Sequence, residues 1–142
     1  MNYWQSFYKN KKLHKKIDFP SQFAIFCIGE KNSDSNLIEF GCGNGRDAYF
    51  FSKYYENIYA FDKSKFAIDY NKKKFSKSKK LHFHKYDIND KFDLSFKKKK
   101  KKTIYARFFL HTLTNEEIII FTKLCRYLLN KNERVFCEYR TN

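Results

Sequence analysis

Leu37-Ile38-Glu39-Phe40-Gly41-Cys42-Gly43-Asn44-Gly45-Arg46-Asp47 is the stretch on which the reading of this chain turns. Its short apolar opening reads as a buried strand that stops at a glycine cluster. Helical character resumes at Arg46 and continues to Tyr55. Glycines at 41, 43 and 45 let the backbone bend sharply and approach a ligand closely, with a helix N-terminus behind them. In an open α/β sheet such a loop stands at the carboxyl end of its strand, where ligands bind.

Outward from this loop the chain alternates strand and helix. Short helices are expected over Tyr3–Tyr8 and Ser21–Ile28, the second opening at Pro20-Ser21. Strands are expected at Ile58–Phe61, Leu81–Tyr86, Thr103–Phe109 and Arg134–Tyr139. A lysine-rich helix over Ser64–Ser76 is expected to carry Phe66, Ala67 and Tyr70 on one face. Thr114-Asn115-Glu116-Glu117 has the form of a capping box. The stripe Ile118, Phe121, Thr122, Cys125, Leu128 and Leu129 follows it at helical spacing. Lys97–Lys102 is a run of six lysines expected to form a solvated loop. Five strands alternating with helices predict a doubly wound, mostly parallel α/β sheet with helices on both faces.

Two acids close strands beyond the glycine loop. Asp62 ends the second strand 21 residues after Gly41, the spacing at which an acid meets ribose hydroxyls in nucleotide-binding sheets. Asp87 ends the third. Either acid alone reads equally well as a turn residue. A dinucleotide fingerprint would need a third glycine where Arg46 stands. The pattern here is GxGxG with Glu39 two positions ahead, and with its strand and the two acids it resembles motif I of the class I S-adenosylmethionine-dependent methyltransferases.

That resemblance covers Leu37–Tyr139 and implies a Rossmann-like domain over residues 31–142, with residues 1–30 as a helical extension or lid. It implies that Glu39 and the backbone of Gly41, Cys42, Gly43, Asn44 and Gly45 hold the methionine part of S-adenosylmethionine. Asp62 with Lys63 then takes the ribose, and Asp87 with Ile88 the adenine. The family's usual seven-stranded sheet continues past the point where this chain stops. The fifth strand is therefore expected to be an exposed edge, open to pairing with a second copy.

For the acceptor, Arg107 and His111 draw attention at the end of the fourth strand. A charge on an inner strand must reach a carboxylate or an open site. His111 can act as a general base, or can simply be a polar loop residue. The segment Arg107-Phe108-Phe109-Leu110-His111 also resembles a pattern in small bacterial methyltransferases. His82 and His84 share one strand face but lack a third ligand, so no metal site is expected. Trp4, Phe7 and Tyr8 suit an amphipathic lid or a packed N-terminal helix.

Composition bounds the remainder. The chain has 142 residues, of which 42 % are apolar and 32 % charged, enough to fold as one domain. No apolar run approaches the ~18 residues of a membrane span, and no signal peptide is evident, so a cytoplasmic protein is expected. The net charge is +15, but 25 of the 30 basic residues are lysine, a bias better matched to A/T-rich codons than to nucleic-acid recognition. Cys27, Cys42, Cys125 and Cys137 are too scattered for a zinc site. The expected function is methyl transfer to oxygen or nitrogen of a small-molecule or sugar-linked acceptor. The alternatives are an RNA methyltransferase using the lysine surface, or a shortened cofactor-binding protein without turnover.

Overall fold

A computed structural model of the chain describes residues 18–31, 36–99 and 101–140, together with Ser6 and Lys9. The glycine loop follows β1 (Asn36–Phe40), whose Leu37, Ile38, Glu39 and Phe40 are all buried. Burial on both faces explains why this strand reads as a continuous run rather than an alternation. Around it stand β2 (Asn57–Asp62), β3 (Leu81–Lys85), β4 (Lys102–Arg107) and β5 (Arg134–Glu138). Every pairing is parallel and the order is β3-β2-β1-β4-β5. The chain runs outward from β1 to β3 and then returns to β4. The strand order therefore reverses between β1 and β4, which opens a crevice at their carboxyl ends.

Side-chain alternation sorts the core into two layers. On one face, Leu37, Ile58, Ala60, Phe83 and Tyr105 pack with Ala24 and Cys27 of α1 (Gln22–Gly29), with α2 (Arg46–Phe51) and with α3 (Lys65–Lys74). On the other, Ile38, Phe40, Phe61, Ile104 and Ala106 meet Phe92, Phe96 and the Phe121, Cys125 and Leu128 stripe of α4 (Asn115–Leu128). Short 3₁₀ turns span Leu94–Lys98 and Leu110–Thr112.

Three local differences from the expectation have physical causes. Ser64 caps α3 by accepting from Ala67 N, which sets the phase so that Ala67, Ile68 and Asn71 face inward. Phe66 is left 41 % exposed. Lys102 is not solvated with its neighbours. It opens β4 with 0 % exposure, and its ammonium reaches Glu133 Oε2 and the Lys99 carbonyl, each at 2.7 Å. Finally, residues 22–29, allotted to the N-terminal extension, bury Ala24 and Cys27 in the same core as the sheet. Trp4, Phe7 and Tyr8 lie outside the described residues. Among the described residues no helix is long and apolar enough to cross a membrane.

Candidate functional site

The loop from Gly41 to Gly45 is pinned from three sides. The Phe61 carbonyl accepts from both Gly41 N (2.8 Å) and Cys42 N (3.0 Å), tying the loop to the end of β2. Asp62 Oδ2 accepts from Gly43 N at 2.9 Å. Behind the loop, Asn71 of α3 donates from Nδ2 to the Gly43 carbonyl at 2.8 Å. Gly41 and Gly45 both take positive φ, +76° and +72°. A Cβ on Gly41 would stand 3.1 Å from the Phe109 ring, and one on Gly45 would stand 2.9 Å from Asn71 Oδ1. Glycine is therefore favoured at both positions by the backbone conformation, and a side chain there would also crowd Phe109 or Asn71. Asn71 was missed in the sequence, although a polar residue on the buried stripe of a helix, with Ala67 and Ile68, was a usable sign.

The acids differ sharply in surroundings. Glu39 is buried, and its Oε2 has no hydrogen-bond partner. Burial pushes its carboxyl well above the usual range, and the neighbouring Asp47 and Asp62 push it further against a smaller opposing pull from Arg46. Asp62 spends one oxygen on Gly43 N and the other on Ser64 N, at 2.8 Å. Burial still raises its carboxyl, because those two N–H groups offset the desolvation only in part. Asp87 is the opposite case. Lys63 Nζ pairs with its Oδ2 at 2.6 Å and holds the carboxyl below the usual range, while Lys63 itself is raised. Ile88 is buried beside it. Asn89 then links Asp87 Oδ1 to Glu117 Oε1 of the α4 capping box.

A second buried network lies under the loop. Asp47, in the first turn of α2, accepts from Ser21 N and Ser21 Oγ at 2.8 Å each and from the Tyr105 hydroxyl at 2.9 Å. Ser21 in turn caps α1 by accepting from Ala24 N. The start of α1, the glycine-loop helix and β4 are thus joined at one carboxylate. Only the tertiary arrangement makes this visible, because Ser21 and Tyr105 are 84 residues apart.

Arg107 follows Tyr105 on the same sheet face and stands opposite Glu138 of β5 in register. Its Nε pairs with Glu138 Oε2, two atoms that are close without being aligned as a hydrogen bond. The carboxylate that an inner-strand charge requires is therefore Glu138. His111 is exposed in the Leu110–Thr112 turn, its ring 5.7 Å from that of Phe108. His82 and His84 stack on their register partners Tyr59 and Phe61, at 5.0 and 5.3 Å. They belong to an aromatic ladder, and burial lowers His84. Among the described residues no cluster of three or more His, Cys, Asp or Glu is arranged to hold a metal ion.

Residues 37–132 match the family described as methyltransferase domain. No curated protein matches the chain. Among solved structures, an S-adenosylmethionine-dependent methyltransferase from Anabaena variabilis is similar, with a TM-score of 0.73 and 19 % identity; the alignment covers 94 % of this chain and 59 % of that one. A TehB-like methyltransferase from Corynebacterium glutamicum gives 0.68 at 17 % identity, covering 81 % and 60 %. Phosphoethanolamine N-methyltransferase 1 of Haemonchus contortus, solved with phosphoethanolamine and S-adenosylhomocysteine, gives 0.71 at 11 % identity, covering 90 % and 28 %. The chain thus spans less than two thirds of the length of these structures, and the likeness is one of fold.

Proposed function

This chain belongs to the methyltransferase-domain family, in the class I S-adenosylmethionine-dependent superfamily, and from that premise we propose that it transfers a methyl group to oxygen or nitrogen of a small-molecule or sugar-linked acceptor. The cofactor is S-adenosylmethionine. When bound, it supplies a sulfonium-activated methyl group to a nucleophile aligned with it.

The residues suit that group. The observation that carries the reading is Glu39 Oε2, a buried carboxylate oxygen without a partner beside a positive-φ glycine cradle. Such an oxygen is expensive to leave unpaired and accepts an ammonium donor well. Glu39 with the backbone of Gly41–Gly45 therefore takes the amino-acid end. Asp62 keeps the loop folded and turns its remaining lone pairs to the ribose hydroxyls, with Lys63 beside it. Asp87 stays ionised next to Lys63, the form needed to accept from the adenine amino group, and Ile88 packs the ring. Ser21, anchored on Asp47, holds the start of α1 against the helix that follows the glycine loop. At the acceptor end, Arg107 orients the substrate. His111 takes the proton when the nucleophile is a hydroxyl.

The test is calorimetric titration with S-adenosylhomocysteine, followed by labelled methyl transfer into cell extract separated into small molecules and RNA. Asp62→Ala removes the Gly43 clamp and is expected to weaken binding by about tenfold or more. Undiminished affinity in that variant, or label entering RNA with a steep salt dependence, would overturn the assignment.

A further inference from the structure

Two of the five arginines in this lysine-dominated chain converge on one ring. The Arg107 guanidinium carbon lies 4.1 Å from the centre of Phe108, and that of Arg140 lies 5.2 Å from it. In a chain with 25 lysines, guanidinium at both places points to a need for a planar, stackable, multidentate donor. The platform beneath them is held against its own preference. Phe108 has φ +51°, an unusual conformation for a bulky residue, and its N–H donates to the Glu138 carbonyl at 2.7 Å. Its neighbour Phe109 turns the other way and packs on Gly41 and Phe40. The platform therefore abuts the glycine loop at the ligand edge of the sheet, with His111 beside it.

The charge balance sets the ligand. Glu138 pairs with Arg107 through Nε without a hydrogen-bond alignment, and a guanidinium carries five N–H donors, more than one carboxylate engages. Arg140, which is exposed, has no carboxylate partner among the described residues. Among the described residues, two cations against one anion leave the cluster one positive charge in excess.

We propose that the Arg107–Phe108–Arg140 platform docks a singly charged oxyanion carried by the methyl acceptor. Guanidinium forks bind such groups through paired N–H···O contacts. The group is a carboxylate or a phosphate diester, and its docking places the rest of the acceptor between His111 and the glycine loop. The role as an acceptor site rests on the methyl-transfer reading; the anion binding does not.

The experiment titrates acetate and dimethyl phosphate, each against chloride at matched ionic strength, into the chain saturated with S-adenosylhomocysteine. The Phe108 amide and arginine side-chain resonances are followed. Saturable shifts with one of the two ions are expected, and the tighter ion identifies carboxylate or phosphate. Arg140→Ala should weaken that binding about fivefold to tenfold and leave the affinity for S-adenosylhomocysteine within about twofold, with Arg140→Lys recovering only part. Equal binding by the parent chain and Arg140→Ala, or chloride acting as well as either ion, means an adventitious ion only and overturns the proposal. Failure of S-adenosylhomocysteine to bind at all overturns the methyl-transfer reading and the acceptor role with it. The anion titration on the chain alone then still reports whether the platform binds.

Discussion

At the scale of single residues, Glu39 shows the conflict between folding and binding most plainly. Its folded pKa stands above the roughly 4.3 of an unfolded chain. A raised acid contributes its stability below the unfolded value and loses it as pH rises through the folded one. The ligand-free chain should therefore lose stability over that window, and Glu39→Gln should flatten the dependence and raise the melting temperature at neutral pH. The same substitution removes the charge that attracts an ammonium group, so affinity for S-adenosylhomocysteine should fall about tenfold. Titration in buffers of different ionisation heat provides the check. Where Glu39 is protonated in the free chain, binding releases a proton, and the Gln variant should release none. The position of Glu39 was legible from the strand and its glycines. Its missing partner was not, because an unpaired oxygen is a property of everything that surrounds it.

At the scale of elements, caps proved easier to read than faces. The Thr114–Glu117 box is present as expected, with Thr114 N donating to Glu117 Oε2 at 2.8 Å and Glu117 N to Thr114 Oγ1 at 3.2 Å. A cap depends on a few adjacent residues, so local sequence suffices. It also does more here than end a helix, because Glu117 Oε1 holds Asn89 and through it Asp87. Thr114→Ala should cost about 1 kcal/mol of stability. Hydrogen exchange should speed at the Glu117 amide and, through Asn89, near Asp87. An effect limited to the α4 terminus would show that the two sites are uncoupled. The inner face of α3 was less legible. Phe66 is the more apolar candidate, yet the Ser64 cap turns Ala67, Ile68 and Asn71 inward, and Asn71 then holds the glycine loop.

At the scale of the whole molecule, the two ends of the sheet have separate tasks. The carboxyl ends of β1, β2 and β3 carry the glycine loop and its acids Glu39, Asp62 and Asp87. At the opposite end, Lys102 and Glu133 form a buried pair that closes the turn before β5. Burial pushes Glu133 up, but the Lys102 ammonium and the Asn130 and Lys102 N–H groups outweigh it and hold the carboxyl below its usual range. A depressed acid contributes above its unfolded pKa and loses that contribution as pH falls through the folded value. Glu133→Gln leaves a buried ammonium without a counter-charge, so urea unfolding at neutral pH should show a loss of about 3–5 kcal/mol. The difference from the parent should shrink under acid conditions. A loss below about 1 kcal/mol would mean that the pair is solvated in solution.

Read alone, the sequence determined the alternation of strands and helices, the parallel class of the sheet, the glycine loop with Glu39, and the strand-end acids Asp62 and Asp87. Each of these depends on periodicity or spacing within a short window, which the chain carries locally. The tertiary structure alone decided that Arg107 meets Glu138, that Lys102 is buried, and that Ser21, Asp47 and Tyr105 share one network. It also decided that Asn71 supports the loop. Those outcomes depend on strand order and register, which bring distant residues to contact distance, and Coulomb and desolvation energies are set by that distance and by the burial around it.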